Sequence, residues 1–182
     1  MNRKLLDQIN IEKIRIAFQK KKLSCKPFSQ DLDKWNAACV ALDTMEDALM
    51  AILAYGTAKE SRSVGLRYLK LYGLLQAVFL QQDAIQCFLN VLGGNFEKEK
   101  KRLIAWHELR NLRNLTVGHP VDNFGEKRCY IIRVSIAKHG FECIMWDKKK
   151  RKDDFVKIDI KSLLNKYRKE VGGVLRKVQD YL

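Results

Sequence analysis

The sequence predicts a mainly α fold, an antiparallel helical bundle with a small three-stranded antiparallel β-meander inserted before the C-terminal helix. Three observations carry this reading. Apolar residues recur every three or four positions through most of residues 33–118, the signature of helices that bury one face. Between Arg128 and Ile160 the period falls to two, as in half-buried strands, and it returns to the helical spacing from about residue 161 to the end. Only two prolines and ten glycines interrupt 182 residues, which favours long regular elements.

The elements follow in order within one predicted domain. Residues 1–28 mix apolar positions with the run Lys20-Lys21-Lys22 and read as a short N-terminal helix and a solvated linker. The core helices occupy 29–120. Ser29, Asp31 and Asp33 supply N-cap chemistry for a helix over about 33–58, whose stripe runs from Trp35 through Leu42 and Leu49 to Leu53. Ser61 and Ser63 can cap a second helix, apolar round much of its circumference and stopped by Gly93-Gly94. Within it Gln76, Gln81, Gln82, Asp83 and Gln86 form a polar set. A solvated edge is their ordinary fate, and support of the next helix across the bundle is the alternative. A third helix is expected from Asn95 to Gly118, with Glu97 and Glu99 in its first turn.

The β insertion spans 127–160. His139-Gly140 has the form of a two-residue hairpin turn with Gly at positive φ, which would set Ile136 opposite Cys143, Val134 opposite Met145 and Arg133 opposite Trp146. One apolar face would then hold Tyr130, Ile132, Val134 and Ile136. Lys148 to Lys152 form a basic loop before a third strand, Phe155 to Ile160. The C-terminal helix covers 161–182, and its Gly172-Gly173 pair implies a bend or a close helix contact.

Composition narrows the function classes. The net charge is +14, and residues 98–182 hold 22 Lys/Arg against 11 Asp/Glu, whereas residues 1–97 hold 13 against 10. A polyanion is the natural partner of such a surface, nucleic acid ahead of an anionic membrane. The five cysteines (25, 39, 87, 129, 143) lack any Cys-x-x-Cys pairing and read as reduced thiols, which with the absence of an apolar signal core leads us to expect a cytoplasmic protein that does not enter membranes. His107 and His139 have no partner at ligand spacing, so no metal is assigned. Gly93-Gly94 lacks a phosphate-loop pattern, and no cofactor is expected.

The richest stretch is Glu108 to Pro120, ELRNLRNLTVGHP. Gly118 suits the end of a helix, and Pro120 drives His119 out of the α region. On an unbroken helix Arg113 and His119 would stand about 120° apart and ~9 Å along the axis. An exit at Gly118 lets the ring turn back toward the guanidinium. Read plainly, His119, Arg110 and Arg113 satisfy carbonyls and complement the negative end of the helix dipole, and Asn114 faces solvent. Read as chemistry, His119 can move protons near neutral pH, Arg113 can grip two phosphate oxygens, and Asn114 can orient the ribose or the imidazole.

The segment Arg113-Asn114-Leu115-Thr116-Val117-Gly118-His119 resembles the signature of the HEPN superfamily (higher eukaryotes and prokaryotes nucleotide-binding helical domain), an Arg, a polar residue, and a His after four to six intervening positions near the end of a bundle helix. Arg110 is set too far before the histidine and fits less well. The resemblance covers about two thirds of the chain and omits the sheet and the N-terminal segment. It implies a metal-independent endoribonuclease, a homodimer whose motif helices face each other across a basic cleft, often in toxin or phage-defence systems with a protein antitoxin or regulatory partner. Many relatives are noncatalytic modules that bind nucleic acid or protein. On this expectation Arg113, Asn114 and His119 are catalytic, and Arg110, Lys148, Lys149, Lys150 and Arg151 hold RNA. Trp146 is a candidate for stacking a base, although cross-strand packing is the commoner role.

Overall fold

The computed structural model describes residues 11–20, 31–118, 120 and 127–182. Among them are six helices and one three-stranded sheet placed before the last helix, the architecture expected from the hydrophobic periods. Helix α1 covers residues 11–20 and buries Ile11, Ile14 and Phe18, a spacing of three and four that puts all three on one face. Phe18 stacks on Trp35 at 4.7 Å and meets the edge of Phe88 at 5.5 Å, tying α1 to the next two helices. The basic run after Lys20 lies outside the described residues.

Helix α2, Leu32–Thr57, begins where the Asp31 carboxylate accepts from the Lys34 N–H at 3.0 Å. Helix α3, Val64–Val91, begins with Ser63 in the same role toward Leu66. It ends at Gly93, whose φ of 79° lets Gly94 donate back to the Leu89 carbonyl. These two helices form the main packed pair, and α3 contributes buried residues round much of its circumference, including Leu71, Leu74, Leu75, Val78, Ile85 and Phe88.

The expected third helix is not continuous. It is divided into α4, Phe96–Lys100, and α5, Ile104–Arg113, with a tight turn over 101–103 and a widened π turn over Asn114–Gly118. Neither Gly nor Pro marks the first break. Its cause is tertiary: Glu170, from the far end of the chain, accepts from the N–H groups of Ala105 and Trp106 at 3.0 and 2.9 Å. One carboxylate thus caps the dipole of α5 where Leu103 has no side-chain cap to offer. His107 bonds the Lys100 carbonyl at 2.9 Å and closes the turn.

The sheet, β1 Lys127–Ile131, β2 Gly140–Asp147 and β3 Lys152–Asp159, is an antiparallel meander as expected, but its register differs. Ile131 rather than Ile136 pairs with Cys143, and Trp146 faces Arg128 rather than Arg133. The chain still reverses in a two-residue turn, but at Lys138-His139, closed by the Ala137–Gly140 bridge one residue before the expected His139-Gly140, and a 3-10 turn, Arg133–Ser135, takes up the residues between that bridge and β1. The Ser135 hydroxyl holds it by donating to the Ile132 carbonyl at 2.7 Å and accepting from the Glu142 N–H at 2.8 Å.

The slip is by an odd number of residues, so β1 turns over. Cys129 and Ile131 point to the core, Tyr130 and Val134 are 54% and 82% exposed, and only Ile136 of the expected face stays buried. Gly140 does not take positive φ. It is required because a Cβ there would fall on the Ile158 carbonyl of β3. Strand β3 starts at Lys152, three residues earlier than expected. Hydrogen bonding to Cys143, together with burial, pushes the Cys129 thiol above its ordinary range, as befits a packing residue.

Tyr68, Arg67 and Tyr55 pin the sheet to the helices by donating to the carbonyls of Ile131, Ile136 and Lys138 at 3.4, 2.8 and 3.2 Å. Helix α6, Ile160–Tyr181, starts where Asp159 accepts from the Ser162 N–H at 2.8 Å. It runs through Gly172-Gly173 as a single helix, and of the bend or close helix contact expected there the contact is not found. A Cβ at either glycine would meet only the Arg176 guanidinium, at 3.8 and 4.0 Å.

Glu170→Ala removes both acceptors at the start of α5 and should lower stability by about 1–3 kcal/mol in urea unfolding, with Glu170→Gln between that and wild type. An unchanged midpoint for Glu170→Ala would show that the break at 101–103 is held by something else.

Candidate functional site

The site is built where α5 crosses α3. On α3, Gln76, Phe79 and Asp83 are spaced three and four apart and share one face. On α5, Arg110 and Arg113 are likewise neighbours one turn apart. The helices run in opposite directions, so Gln76 meets Arg113 and Asp83 meets Arg110. The Gln76 amide oxygen accepts from Nε and Nη2 of Arg113 at 3.1 and 3.0 Å, and Asn114 Oδ1 accepts from Nη1 at 3.2 Å. Arg110 donates from Nη1 to Asp83 Oδ1 at 2.7 Å. The Phe79 ring serves both, with guanidinium carbons 4.1 Å (Arg113) and 4.3 Å (Arg110) from its centroid.

The two arginines are electrostatically unlike. The Arg110 charge is balanced by Asp83, whereas the partners of Arg113 are neutral amide oxygens. Arg113 is therefore held in a fixed plane with no carboxylate to meet its charge among the described residues, and two of its five N–H groups have no partner among them. The polar set on α3 is thus not a solvated edge. Gln82 is buried and donates to the Trp106 carbonyl at 2.9 Å, and Gln81 is buried and accepts from the Tyr167 hydroxyl at 3.0 Å. Gln86 bonds Lys100 at 2.9 Å. Burial pushes the Tyr167 phenol well above its ordinary range, so it stays a neutral donor.

After Arg113 the π turn lets the chain fold back over the side chain it has just placed. Thr116 donates to the Leu112 carbonyl at 2.7 Å, steadying the widened turn. A Cβ at Gly118 would stand 2.6 Å from Arg113 Nη1. Glycine is what permits this approach, and it brings the chain to the guanidinium one residue before His119. His119 itself lies outside the described residues.

Comparison with protein-family models, curated proteins and solved structures found no match.

Of the residues singled out in the sequence, Arg113, Asn114 and Arg110 come together. Lys148, Lys149, Lys150 and Arg151 form a second cluster on another element, the exposed β2–β3 turn. That turn is structured: Asp147 Oδ1 accepts from the N–H groups of Lys149 and Lys150, both at 3.0 Å, and the Lys150 bond foremost holds the Asp147 carboxyl below the usual range. Among the described residues no three His, Cys, Asp or Glu side chains gather as a metal site, and no helix is long and apolar enough to cross a membrane.

Sequence reasoning missed Phe79 and Glu170. Phe79 was legible as the residue between Gln76 and Asp83 on one helical face. Glu170 carries no local signal, because its partners lie more than 60 residues away.

Gly118→Ala should leave global stability within ~1 kcal/mol, because the atom it meets is the end of a flexible side chain. It should displace Arg113 from Phe79, read as a shift of the Arg113 Nε–H resonance in an NMR spectrum. An unmoved resonance would mean that the close approach is not made.

Proposed function

We propose that the chain is a metal-independent endoribonuclease of the HEPN type, with Arg113, Asn114 and His119 at its centre. The observation that carries this is Arg113 itself: a guanidinium fixed by Gln76, Asn114 and Phe79 without a neutralising carboxylate among the described residues, with the chain leading into His119 folded against it. A rigid, uncompensated cation is what a phosphate gaining charge in a transition state requires.

In this reading the ribose 2′-oxygen attacks the adjacent phosphorus, and the bond from phosphorus to the 5′-oxygen breaks. The products are a 2′,3′-cyclic phosphate and a 5′-hydroxyl. One imidazole takes the proton of the 2′-hydroxyl and another returns a proton to the leaving oxygen, so the two transfers call for a homodimer with two copies of His119 across its axis. Asn114 holds Arg113 in plane, while Arg110, balanced by Asp83, chiefly braces α5 on α3. The basic β2–β3 turn adds phosphate attraction. The reading extends to a cytoplasmic toxin or phage-defence effector restrained by a protein antitoxin or regulatory partner.

One observation favours a second reading, a noncatalytic module that binds nucleic acid or a protein. Two of the Arg113 N–H groups are spent on packing against α3 through Gln76 and a third on the adjacent Asn114, as in a structural arginine.

Incubating the purified chain with RNA in chelator separates the two. The first reading expects fragments ending in 2′,3′-cyclic phosphate, a loss of at least about 100-fold in His119→Ala, and a comparable loss in Arg113→Lys, since lysine lacks the planar fork. Cleavage that survives His119→Ala removes the catalytic assignment. Salt-sensitive binding without turnover supports the module.

A further inference from the structure

The outer face of the sheet departs from what a solvated face should be. Strands with one face on a core alternate apolar with polar residues, yet the middle row of this outer face is Tyr130, Ile144 and Phe155, paired across all three strands. Tyr130 is 54% and Phe155 76% exposed. Two aromatic side chains are thus presented to water from strands about 9.6 Å apart, two interstrand spacings, with Ile144 on the strand between them. The next row is Arg128, Trp146 and Asp153, and on the other side stand Glu142 and Lys157. Beyond Trp146 the strands run into the turn bearing Lys148, Lys149, Lys150 and Arg151. Its backbone is held by Asp147, so the four cations project from a fixed end of the face.

Cations at one end of a flat aromatic row match a strand whose bases are unstacked and whose backbone is charged. The turn lies four residues from the aromatic row, about 13 Å along the strands, within reach of a lysine side chain and the next phosphate. A protein partner would gain apolar contact from Tyr130 and Phe155 but would have to bury or neutralise four adjacent cations. Duplex RNA hides its base faces.

We propose that the outer face of this sheet is a stacking platform for single-stranded RNA, with Tyr130 and Phe155 each taking a base and Lys148 to Arg151 holding the phosphates. It rests on the RNA reading above but not on cleavage. Asp153 and Glu142 are the acceptors on this face, placed to receive base amino groups and to repel a backbone laid directly across them.

The test uses the full chain and a fluorescent 2′-O-methyl oligonucleotide, which cannot be cut because its 2′-oxygen is blocked. Tyr130→Ala and Phe155→Ala should each weaken binding by about 5- to 150-fold, while Phe155→Tyr binds as wild type. Replacing Lys148, Lys149 and Lys150 by Ser should flatten the dependence of log affinity on log salt by about 0.7 for each phosphate that is no longer neutralised. Both aromatic positions are exposed, so circular dichroism should show the fold intact. Unchanged affinity in the two alanine variants overturns the platform, as does equally tight binding of a duplex, or a changed oligomeric state with unchanged oligonucleotide affinity, which would make the face an interface between copies. Retained cleavage of ordinary RNA alongside normal binding by the alanine variants defeats the platform alone. Binding that depends on the aromatics, without cleavage, defeats the nuclease alone.

Discussion

The rest of the structure depends on the match between two polar stripes, Gln76, Phe79, Gln82, Asp83 and Gln86 on α3 and Lys100, the Trp106 carbonyl, Arg110 and Arg113 along α4 and α5. Burying such groups is costly unless each finds a partner, so the match sets the register of one helix on the other. A slip of one turn would strand Gln82 inside the core and set Asp83 against the wrong arginine. Specificity of packing and placement of charge are here one constraint.

Its consequences reach the chain ends. Arg110 and Arg113 lie over Phe79 on α5, which starts afresh after α4 where Glu170 of α6 accepts from its first N–H groups. Tyr167, one turn earlier on α6, closes the same region from behind by donating to Gln81. The final helix thus braces the site. On the other side the π turn and Gly118 let the chain pack on Arg113, and the sheet is tied to α2 and α3 through Tyr55, Arg67 and Tyr68.

What was legible in the sequence was what local spacing encodes. The periods of three to four and of two placed α2, α3, the meander and α6, and Ser63 and Asp31 marked their helix starts through short-range capping. What was not legible depended on distant partners. Nothing within residues 95–118 announces a break whose cap is Glu170. The sheet register turned on Ser135, whose hydroxyl holds a 3-10 turn between the Lys138-His139 reversal and β1, and the resulting odd slip reversed which residues of β1 see water. Gly140 has the local look of a flexible turn residue, but its role is close approach to Ile158. At the site, the Arg-Asn start and Gly118 were visible locally, whereas the contrast between Arg110, balanced by Asp83, and Arg113, without a carboxylate partner among the described residues, appears only once α3 is laid alongside.

That contrast is the central claim, and substituting Gln76→Glu tests it most directly, because a carboxylate nearly identical in shape would neutralise Arg113 in place. Stability from urea unfolding and affinity for inorganic phosphate, measured on the same protein with Lys148, Lys149 and Lys150 replaced by Ser so that the β2–β3 turn does not mask the site, give the answer together. Stability should hold or rise, since a charge-assisted bond replaces a neutral one, while anion affinity and any RNA cleavage fall. Undiminished anion affinity in a stably folded Gln76→Glu protein would contradict the account, because it would show that the charge of Arg113 was never the one being offered.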